Sequence, residues 1–210
     1  MSDDDLILIG AGGHARACID VVEELGRFRI AGLVGMPEEL GAQHLGYPVV
    51  GTDANLPELR SNFRNALITI GQIGTAQHRE RLYLRALELG FEFPVIIARD
   101  AHVSRSAAIG NGTIVMHGAI VNAGAVIGQN CIVNSRALIE HDAVVQDHCH
   151  ISTGAILNGH VCVREGSFIG SGTTVKQGIS IGRGCVVGMA CSVRSDLPDG
   201  ARFTGTLSDA

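Results

Sequence analysis

Aliphatic residues recur at every sixth position over the second half of the chain, without a break. The series is Ile97, Val103, Ile109, Val115, Val121, Ile127, Val133, Ile139, Val145, Ile151, Leu157, Val163, Ile169, Val175, Ile181, Val187 and Val193. A second position, four residues after each aliphatic, is mostly small, and glycine often precedes it, as at Gly112 and Gly118. Such a period is typical of a parallel β-helix, in which short strands alternate with turns and stacked coils share one core. With three hexads in a coil, residues 18 apart would lie above one another, about 4.7–4.9 Å apart.

The residues before the repeats have a different pattern, in which buried-type strands alternate with glycine turns and amphipathic helices. Strands are predicted at 6–9, 30–34 and 66–70, and helices at 15–25 and 75–89. This alternation predicts an α/β domain with a small parallel sheet. The predicted division is an α/β domain at 1–96, a β-helix of hexapeptide repeats at 97–197, and a loose C-terminal tail at 198–210. No flexible linker separates the first two parts, so we expect them to pack together.

Composition narrows the class of protein. The net charge of −5 and the pI near 6.0 argue against nucleic-acid binding. No run of about 18 apolar residues predicts a membrane span, and the acidic start of the chain is unlike a secretory signal. Cys131, Cys149, Cys185 and Cys191 fall at the small inward position of the repeat, so they are predicted to be core thiols rather than disulfides. A reducing, cytoplasmic location is therefore expected.

A glycine turn joins the first predicted strand to the first helix, with the sequence Gly10-Ala11-Gly12-Gly13-His14. Backbone N–H groups at a helix N-terminus favour phosphate. Ala15 replaces the third glycine of the dinucleotide fingerprint, and Gly35-Met36 stands where a ribose-binding acid would follow the second strand, which argues against NAD. The preferred interpretation is a site for a nucleotide-sugar diphosphate. The alternative is a tight turn that binds nothing.

Polar residues concentrate at 134–160, where the hexads break their own pattern. Turn positions that elsewhere hold glycine are occupied here by Arg136, Asp142, His148 and His160. In an 18-residue coil His141 would lie between Ala123 and Gly159, which would leave room for a ligand and a free Gly159 N–H beside the imidazole. A histidine next to a carboxylate has the composition of an oriented general base. The alternative is a solvated polar face.

Through these features the chain resembles the left-handed β-helix acyltransferases that N-acetylate nucleotide-linked amino sugars. The family comprises bacillosamine and perosamine N-acetyltransferases, with the sialic-acid pathway O-acetyltransferases as relatives. The resemblance covers nearly the whole chain, and its most specific motifs are Ile9-Gly10-Ala11-Gly12-Gly13-His14 and Ile139-Glu140-His141-Asp142. The resemblance implies that the β-helix is left-handed, that the protein is a homotrimer, and that CoA binds in a cleft between neighbouring subunits.

The resemblance also implies roles for single residues. His141 would be the general base, Asp142 its orienting acid, and Gly159 the amide that faces the thioester oxygen. His150 and Gly159 would contact acetyl-CoA. The substrate-binding set is Gly10, Gly12, Gly13, His14, Gly71 and Asn134.

The implied reaction is acetyl transfer from acetyl-CoA to the C4 amine of a nucleotide-linked 4-amino-4,6-dideoxy sugar, of the GDP-perosamine type, in O-antigen or other surface polysaccharide biosynthesis. Gly35-Met36 replaces the acidic pair that binds uracil in UDP-sugar members, so guanine is favoured over uracil as the base of the nucleotide. A UDP-linked amino sugar and a sugar hydroxyl remain as alternative acceptors. A second departure is Thr204-Gly205-Thr206-Leu207, which replaces the Gly-x-Pro-Ala-Lys end of many relatives.

No tightly bound cofactor is predicted, and acetyl-CoA is expected as a co-substrate. No metal is predicted, because no histidine or cysteine set has ligand spacing along the sequence. A β-helix zinc carbonic anhydrase would need two histidines five residues apart, which the histidines of the repeats do not provide. A non-catalytic scaffold is disfavoured, because it would gain nothing from the loss of glycine around His141.

Overall fold

A computed structural model describes residues 4–205, which form an N-terminal α/β domain followed by a parallel β-helix. The α/β domain contains β1 (Asp5–Ile9), β2 (Arg29–Val34), β3 (Gln43–His44), β4 (Tyr47–Gly51) and β5 (Asn65–Ile68). Its helices are α1 (Gly13–Leu25), α2 (Leu56–Asn62) and α3 (Gln77–Glu88), with short 3₁₀ turns at Pro37–Glu39 and Asp53–Asn55. None of the helices in the described chain is long and apolar enough to cross a bilayer.

The sheet has the order β3-β4-β2-β1-β5 and is parallel except for the β3–β4 edge hairpin. The predicted parallel sheet is thus confirmed, and the hairpin is an addition that the sequence pattern did not predict. Strand β1 lies between β2 and β5 and is buried along its length, which explains why residues 6–9 are a continuous apolar run rather than an alternating one. Helix α1 ends at Gly26, whose left-handed φ of 66° lets its N–H bond the Val22 carbonyl.

The β-helix consists of two-residue strands joined by turns. They are β6 (Ile96–Ile97), β7 (His102–Val103), β8 (Ala108–Ile109), β9 (Ile114–Val115), β10 (Ile120–Val121), β11 (Val126–Ile127), β12 (Ile132–Val133), β13 (Leu138–Ile139), β14 (Val144–Val145), β15 (His150–Ile151), β16 (Ile156–Leu157), β17 (Cys162–Val163), β18 (Phe168–Ile169), β19 (Thr174–Val175), β20 (Ser180–Ile181), β21 (Val186–Val187), β22 (Ser192–Val193) and β23 (Arg202–Phe203). Each strand up to β22 pairs with the strand 18 residues away, as Val121 does with Ile139. The predicted three-hexad coil is confirmed.

Three sheets form the faces of the β-helix. We call the sheet that contains β6 the first face, the sheet that contains β7 the second face, and the sheet that contains β8 the third face. The repeating aliphatics point inward and form one continuous core. The four repeat cysteines are buried there and unpaired, as predicted. Outward residues of the first face, such as Ile114 and Ile132, are buried against the α/β domain.

The end of the β-helix differs from the expected loose arm. Leu197 bridges to Ile181, and β23 pairs with β21 at 16-residue spacing, so the chain adds strand to the stack as far as Phe203. The hexad count missed this because the spacing shortens from 18 to 16. Thr204 and Gly205 follow, whereas Thr206, Leu207 and the rest of the predicted tail lie outside the described residues.

Arg79 of α3 joins the two parts of the molecule. Its buried guanidinium donates to the carbonyls of Asn130 and His148 at one corner of the β-helix, and to the side-chain oxygen of Gln72 at 3.0 Å. The amide of Gln72 in turn donates to the Gly166 carbonyl at 2.9 Å. Because breaking these bonds would leave more of the buried guanidinium unpaired than Nε alone, they hold the α/β domain in one position on the first face.

Candidate active site

A cavity of about 970 Å³ lies between the glycine turn and the first face of the β-helix. The α/β domain contributes the strand ends of the parallel sheet, which is where ligands bind in open α/β sheets. Its lining from that domain is Gly10, Ala11, Gly12, Gly13, His14, Val34, Gly35, Met36, Glu39, Asp53, Thr69, Ile70, Gly71, Gln72, Ile73 and His78. The β-helix contributes His150, Ser152, Phe168, Gly170, Ser171, Val186, Gly188 and Met189.

The glycine turn leaves space at the start of α1. Gly10 has a φ of 124°, and a Cβ there would lie 2.6 Å from the Ile70 side chain, so only glycine fits. Gly12 and Gly13 differ, because a Cβ on either would meet nothing within 4 Å. No side chain caps α1, and its first turn carries no acidic residue. The open space and the uncapped helix end together suit an anionic group such as a diphosphate.

His14 and His150 line this cavity close together, with ring centroids 6.2 Å apart. Burial and the nearby Arg79 guanidinium lower the pKa of His14 to about 4. Burial also lowers the pKa of His150 to about 3. Both imidazoles are therefore neutral near pH 7. Nε2 of His14 is buried and has no hydrogen-bond partner within residues 4–205, so a polar group of a ligand in the cavity would supply its missing hydrogen bond.

Both ring nitrogens of His150 are used inside the protein. Nδ1 donates to the Gln72 carbonyl at 2.8 Å, which leaves Nε2 to accept from the Asn134 amide at 3.1 Å. The Asn134 side-chain oxygen accepts from the Ser135 N–H at 2.8 Å. His150 thus fixes the Asn134 amide and presents its ring, rather than a free nitrogen, to the cavity. Gly71 packs against His14, where a Cβ would lie 3.4 Å from the His14 Cβ.

Two carboxylates in the cavity, Glu39 and Asp53, were not predicted from the sequence, because neither directly follows the second strand. Glu39 reaches the cavity through the Pro37–Glu39 turn, and its carboxylate accepts the Met36 N–H at 2.8 Å. Asp53 follows the fourth strand. A Cβ on Gly35 would lie 2.8 Å from the Glu39 carboxylate, so glycine at 35 permits that approach. Glu39 is visible in the sequence as an acidic residue after the second strand, but it is the Pro37–Glu39 turn that brings its side chain to the cavity.

His141, Asp142 and Gly159 meet at the corner between the second and third faces. Nδ1 of His141 donates to Asp142 Oδ2 at 2.8 Å, and this hydrogen bond lowers the pKa of Asp142. A Cβ on Gly159 would lie 2.7 Å from Nε2 of His141. The expected room for a ligand between the coils is therefore filled by the imidazole itself, which lies over Gly159. Both His141 and Asp142 are about half exposed, so the dyad is open to solvent.

Non-glycine residues occupy left-handed turn positions at all three corners of these coils, Asp142 and His160 at the corner of the dyad and Arg136 and His148 at the other two. Arg136, Asp142, His148 and His160 have left-handed φ values of 57–60°, as the glycines of the other turns do. Non-glycine residues pay roughly 1–2 kcal/mol for this conformation. The predicted left-handed turn is thus confirmed at these four positions, and Asn130 and Ala190 share it, so the strain follows the turn of the repeat rather than the dyad alone.

The predicted residues therefore fall in two places. His14, His150, Gly71 and the glycine turn lie together at the cavity. His141, Asp142 and Gly159 lie at a different corner and are absent from the cavity lining. Asn134 touches His150 and belongs with the first group.

Groups of potential metal ligands, which had no recognisable spacing in the sequence, are brought together by the fold. In the described part of the chain, three sets of ligand atoms lie within 4.8 Å of one another. They are His141, Asp142 and His160; Glu24, Asp100 and His117; and Glu80, His148 and Glu165.

Comparison with known proteins gives the family. Residues 5–86 match the PglD N-terminal domain. The acetyltransferase domain of PglB from Neisseria gonorrhoeae FA1090, solved with acetyl coenzyme A, is 34% identical with a TM-score of 0.87, over 95% of each chain. PerB from Caulobacter crescentus, a perosamine N-acetyltransferase solved with CoA and GDP-perosamine, is 34% identical with a TM-score of 0.88, over 94% of this chain and 92% of that one. The sequence matches no curated protein.

WeeI from Acinetobacter baumannii AYE, 20% identical with a TM-score of 0.83, shares the fold. These similarities confirm the left-handed β-helix and the acetyl-CoA co-substrate that the sequence predicted. With 34% identity over nearly the whole length of two such enzymes, the chain belongs to the family of left-handed β-helix N-acetyltransferases that acetylate nucleotide-linked amino sugars.

Proposed function

We propose that this enzyme transfers the acetyl group of acetyl-CoA to the C4 amine of a GDP-linked 4-amino-4,6-dideoxy sugar, perosamine or a close analogue, in surface polysaccharide synthesis. The observation that carries the chemistry is the His141–Asp142 pair, with its free Nε2 against the Gly159 backbone. Residues 1–96 bind the nucleotide sugar, and residues 97–197 supply catalysis and the acetyl-CoA site.

The mechanism follows from the hydrogen bonding of His141. Because Nδ1 carries the proton donated to Asp142, Nε2 holds the lone pair. Nε2 takes the proton from the acceptor amine, directly or through a water, as the amine nitrogen attacks the thioester carbon. The Gly159 N–H, which bonds no group in the described chain, stabilises the tetrahedral oxyanion. CoA then leaves as the thiol or thiolate, without an acyl-enzyme.

The nucleotide is assigned to the cavity. Its diphosphate lies at the uncapped start of α1, beside Gly12 and Gly13. The N1–H and N2–H groups of guanine are donors that suit the carboxylate acceptors Glu39 and Asp53. The neutral His14, whose buried Nε2 has no partner within residues 4–205, contacts the sugar.

In a single chain the His141–Asp142 pair does not reach the nucleotide cavity. We propose that a neighbouring subunit of a homotrimer brings the two together. Outward positions of the second and third faces form apolar columns that are exposed or half-buried within the described residues, unlike those of the first face. The columns are Ile120, Leu138 and Ile156, and Val126, Val144 and Cys162. Ile120 is 39% exposed and Val126 is 46% exposed. His141 lies at the corner between these columns, so an interface there would carry the base to another chain's cavity.

Subunit complementation tests this arrangement. His141→Asn removes the base, and Gly13→Val obstructs the diphosphate site. When the two variants are unfolded and refolded together, sites formed by an intact base and an intact glycine turn from different chains should regain acetyl transfer. Light scattering should give three times the mass of the 22.0 kDa chain. An active monomer, or no gain on mixing, would contradict the shared site.

The substrate is tested by thermal shift with GDP-, UDP- and dTDP-linked sugars. A ligand at 100 times its dissociation constant stabilises the folded state by about 2.7 kcal/mol. We expect the largest shift with the GDP-linked amino sugar. Acetyl transfer to the 4-hydroxy analogue of that sugar at an equal rate would instead identify an O-acetyltransferase.

A further inference from the structure

Three side-chain atoms of metal-ligand type meet at the corner that carries the His141–Asp142 pair. Asp142 Oδ2 lies 2.8 Å from Nδ1 of His141 and 3.8 Å from Nε2 of His160. We propose that these three residues bind a divalent transition-metal ion such as Zn²⁺, and that the bound ion inhibits the enzyme. Binding follows from the geometry alone, whereas inhibition rests on the proposed role of His141.

The spacing of the three atoms fits a metal ion. Tetrahedral zinc with bonds of about 2.0–2.2 Å separates neighbouring ligand atoms by roughly 3.3–3.5 Å. The two measured separations lie on either side of this range, so small side-chain rotations bring the atoms to it. The backbone holds the ligands close, because the His160 N–H donates to the His141 carbonyl at 3.1 Å. The rings of His141 and His160 are perpendicular, with centroids 5.3 Å apart.

The chemistry of this set favours a transition metal over Mg²⁺ or Ca²⁺. Two imidazoles and one carboxylate are ligands that zinc, copper and nickel prefer, whereas Mg²⁺ and Ca²⁺ prefer oxygen. In a single chain the three side chains are 51–59% exposed, and the proposed reaction requires that the acceptor and acetyl-CoA reach this corner, so an ion and a fourth, water ligand can reach it as well. The other two clusters of potential ligands each contain one imidazole and two carboxylates.

A metal ion at Nδ1 would disable the base through the tautomer of His141. A neutral imidazole carries one proton, which now lies on Nδ1 and is donated to Asp142. A metal bond at Nδ1 uses that nitrogen's lone pair, so the proton must reside on Nε2. Nε2 then has no lone pair for the acceptor amine, and Asp142 binds the ion instead of orienting the ring. No bond in the enzyme is broken, so a chelator should reverse the inhibition.

The test measures binding and activity separately. Cobalt(II) is titrated into the metal-free wild-type enzyme and followed by its visible absorption, which strengthens in a tetrahedral site. Acetyl transfer is measured with buffered free Zn²⁺, and the product is quantified by chromatography so that CoA thiol chemistry does not interfere. We expect one ion per chain, and loss of more than about 90% of the activity at saturation, with recovery in EDTA.

The informative variant is His160→Asn, because asparagine tolerates the left-handed backbone at 160. Measured against its own metal-free rate, it should need at least about tenfold more zinc for half-inhibition. His102→Asn, an exposed histidine outside the cluster, should retain wild-type zinc sensitivity. Equal sensitivity of His160→Asn and wild type, or no cobalt spectrum, would overturn the site. One further outcome would divide the proposal. If His160→Asn abolishes the cobalt spectrum but the wild-type enzyme keeps full activity in zinc, the site binds metal, and both the inhibition and the assignment of His141 as base are wrong.

Discussion

Replacing Gly159 with alanine perturbs the candidate base without removing it. A Cβ at 159 would lie 2.7 Å from Nε2 and 2.8 Å from Cε1 of His141. Since unstrained contacts lie near 3.5 Å, the ring must move by roughly 0.7–1 Å. That movement lengthens the 2.8 Å hydrogen bond to Asp142 and shifts Nε2 from the acceptor. A misplacement of about 1 Å costs roughly 10² in rate, so kcat should fall by about that factor.

Folding should survive this change. Gly159 is not among the glycines with left-handed φ, so alanine fits its backbone. His141 is about half exposed and can swing outward, so the melting temperature should fall by no more than about 4 °C, equivalent to roughly 1 kcal/mol. The assay follows release of the CoA thiol at saturating concentrations of both substrates.

Gly74→Ala is the matched control. A Cβ there meets nothing within 4 Å, and its φ is not left-handed, so its kcat should stay within about twofold of wild type. A Gly159→Ala enzyme whose kcat stays within about threefold of wild type would refute the idea that the position of the imidazole limits the reaction.

Three further predictions address the base, the glycine turn and pH. His141→Asn should lower kcat by roughly 10²–10⁴ at pH 7.5, while both substrates still bind. Its kcat should recover partly at high pH, because the acceptor amine then loses its proton without a base. A variant that keeps more than about a third of wild-type kcat would contradict the assignment of His141 as base. Gly13→Val should raise KM for the nucleotide sugar, because its side chain enters the open space, but not KM for acetyl-CoA; equal increases would point to misfolding. His14 and His150, with pKa values lowered to about 4 and about 3, bind protons more tightly when unfolded, so stability should fall below pH 6.5. By pH 5 the loss is about 2 kcal/mol for each histidine, and a denaturant midpoint unchanged between pH 7.5 and 5 would exclude it.

The repeat architecture was predictable because it is a local property of the chain. Inward residues of a β-helix must recur at the period of the strand and turn, so the series through Val121 and Ile139 encodes both the coil and its 18-residue stacking. The pairing of His141 with Asp142 was equally accessible, because the two are adjacent in sequence. The contact of His141 with Gly159 followed from the same stacking.

The arrangement of side chains in the cavity depends on how the α/β domain is placed on the β-helix. The packing of His14 opposite His150, the neutral state of both rings, and the entry of Glu39 into the cavity join segments with no common period. Arg79 fixes that placement through buried hydrogen bonds to carbonyls, which are invisible in a sequence because every residue has a carbonyl. The sequence predicted that His150 and His141 act at one site, whereas the structure places them apart. Neighbouring hexads lie on different faces of the β-helix, and only the face that carries His150 meets the α/β domain.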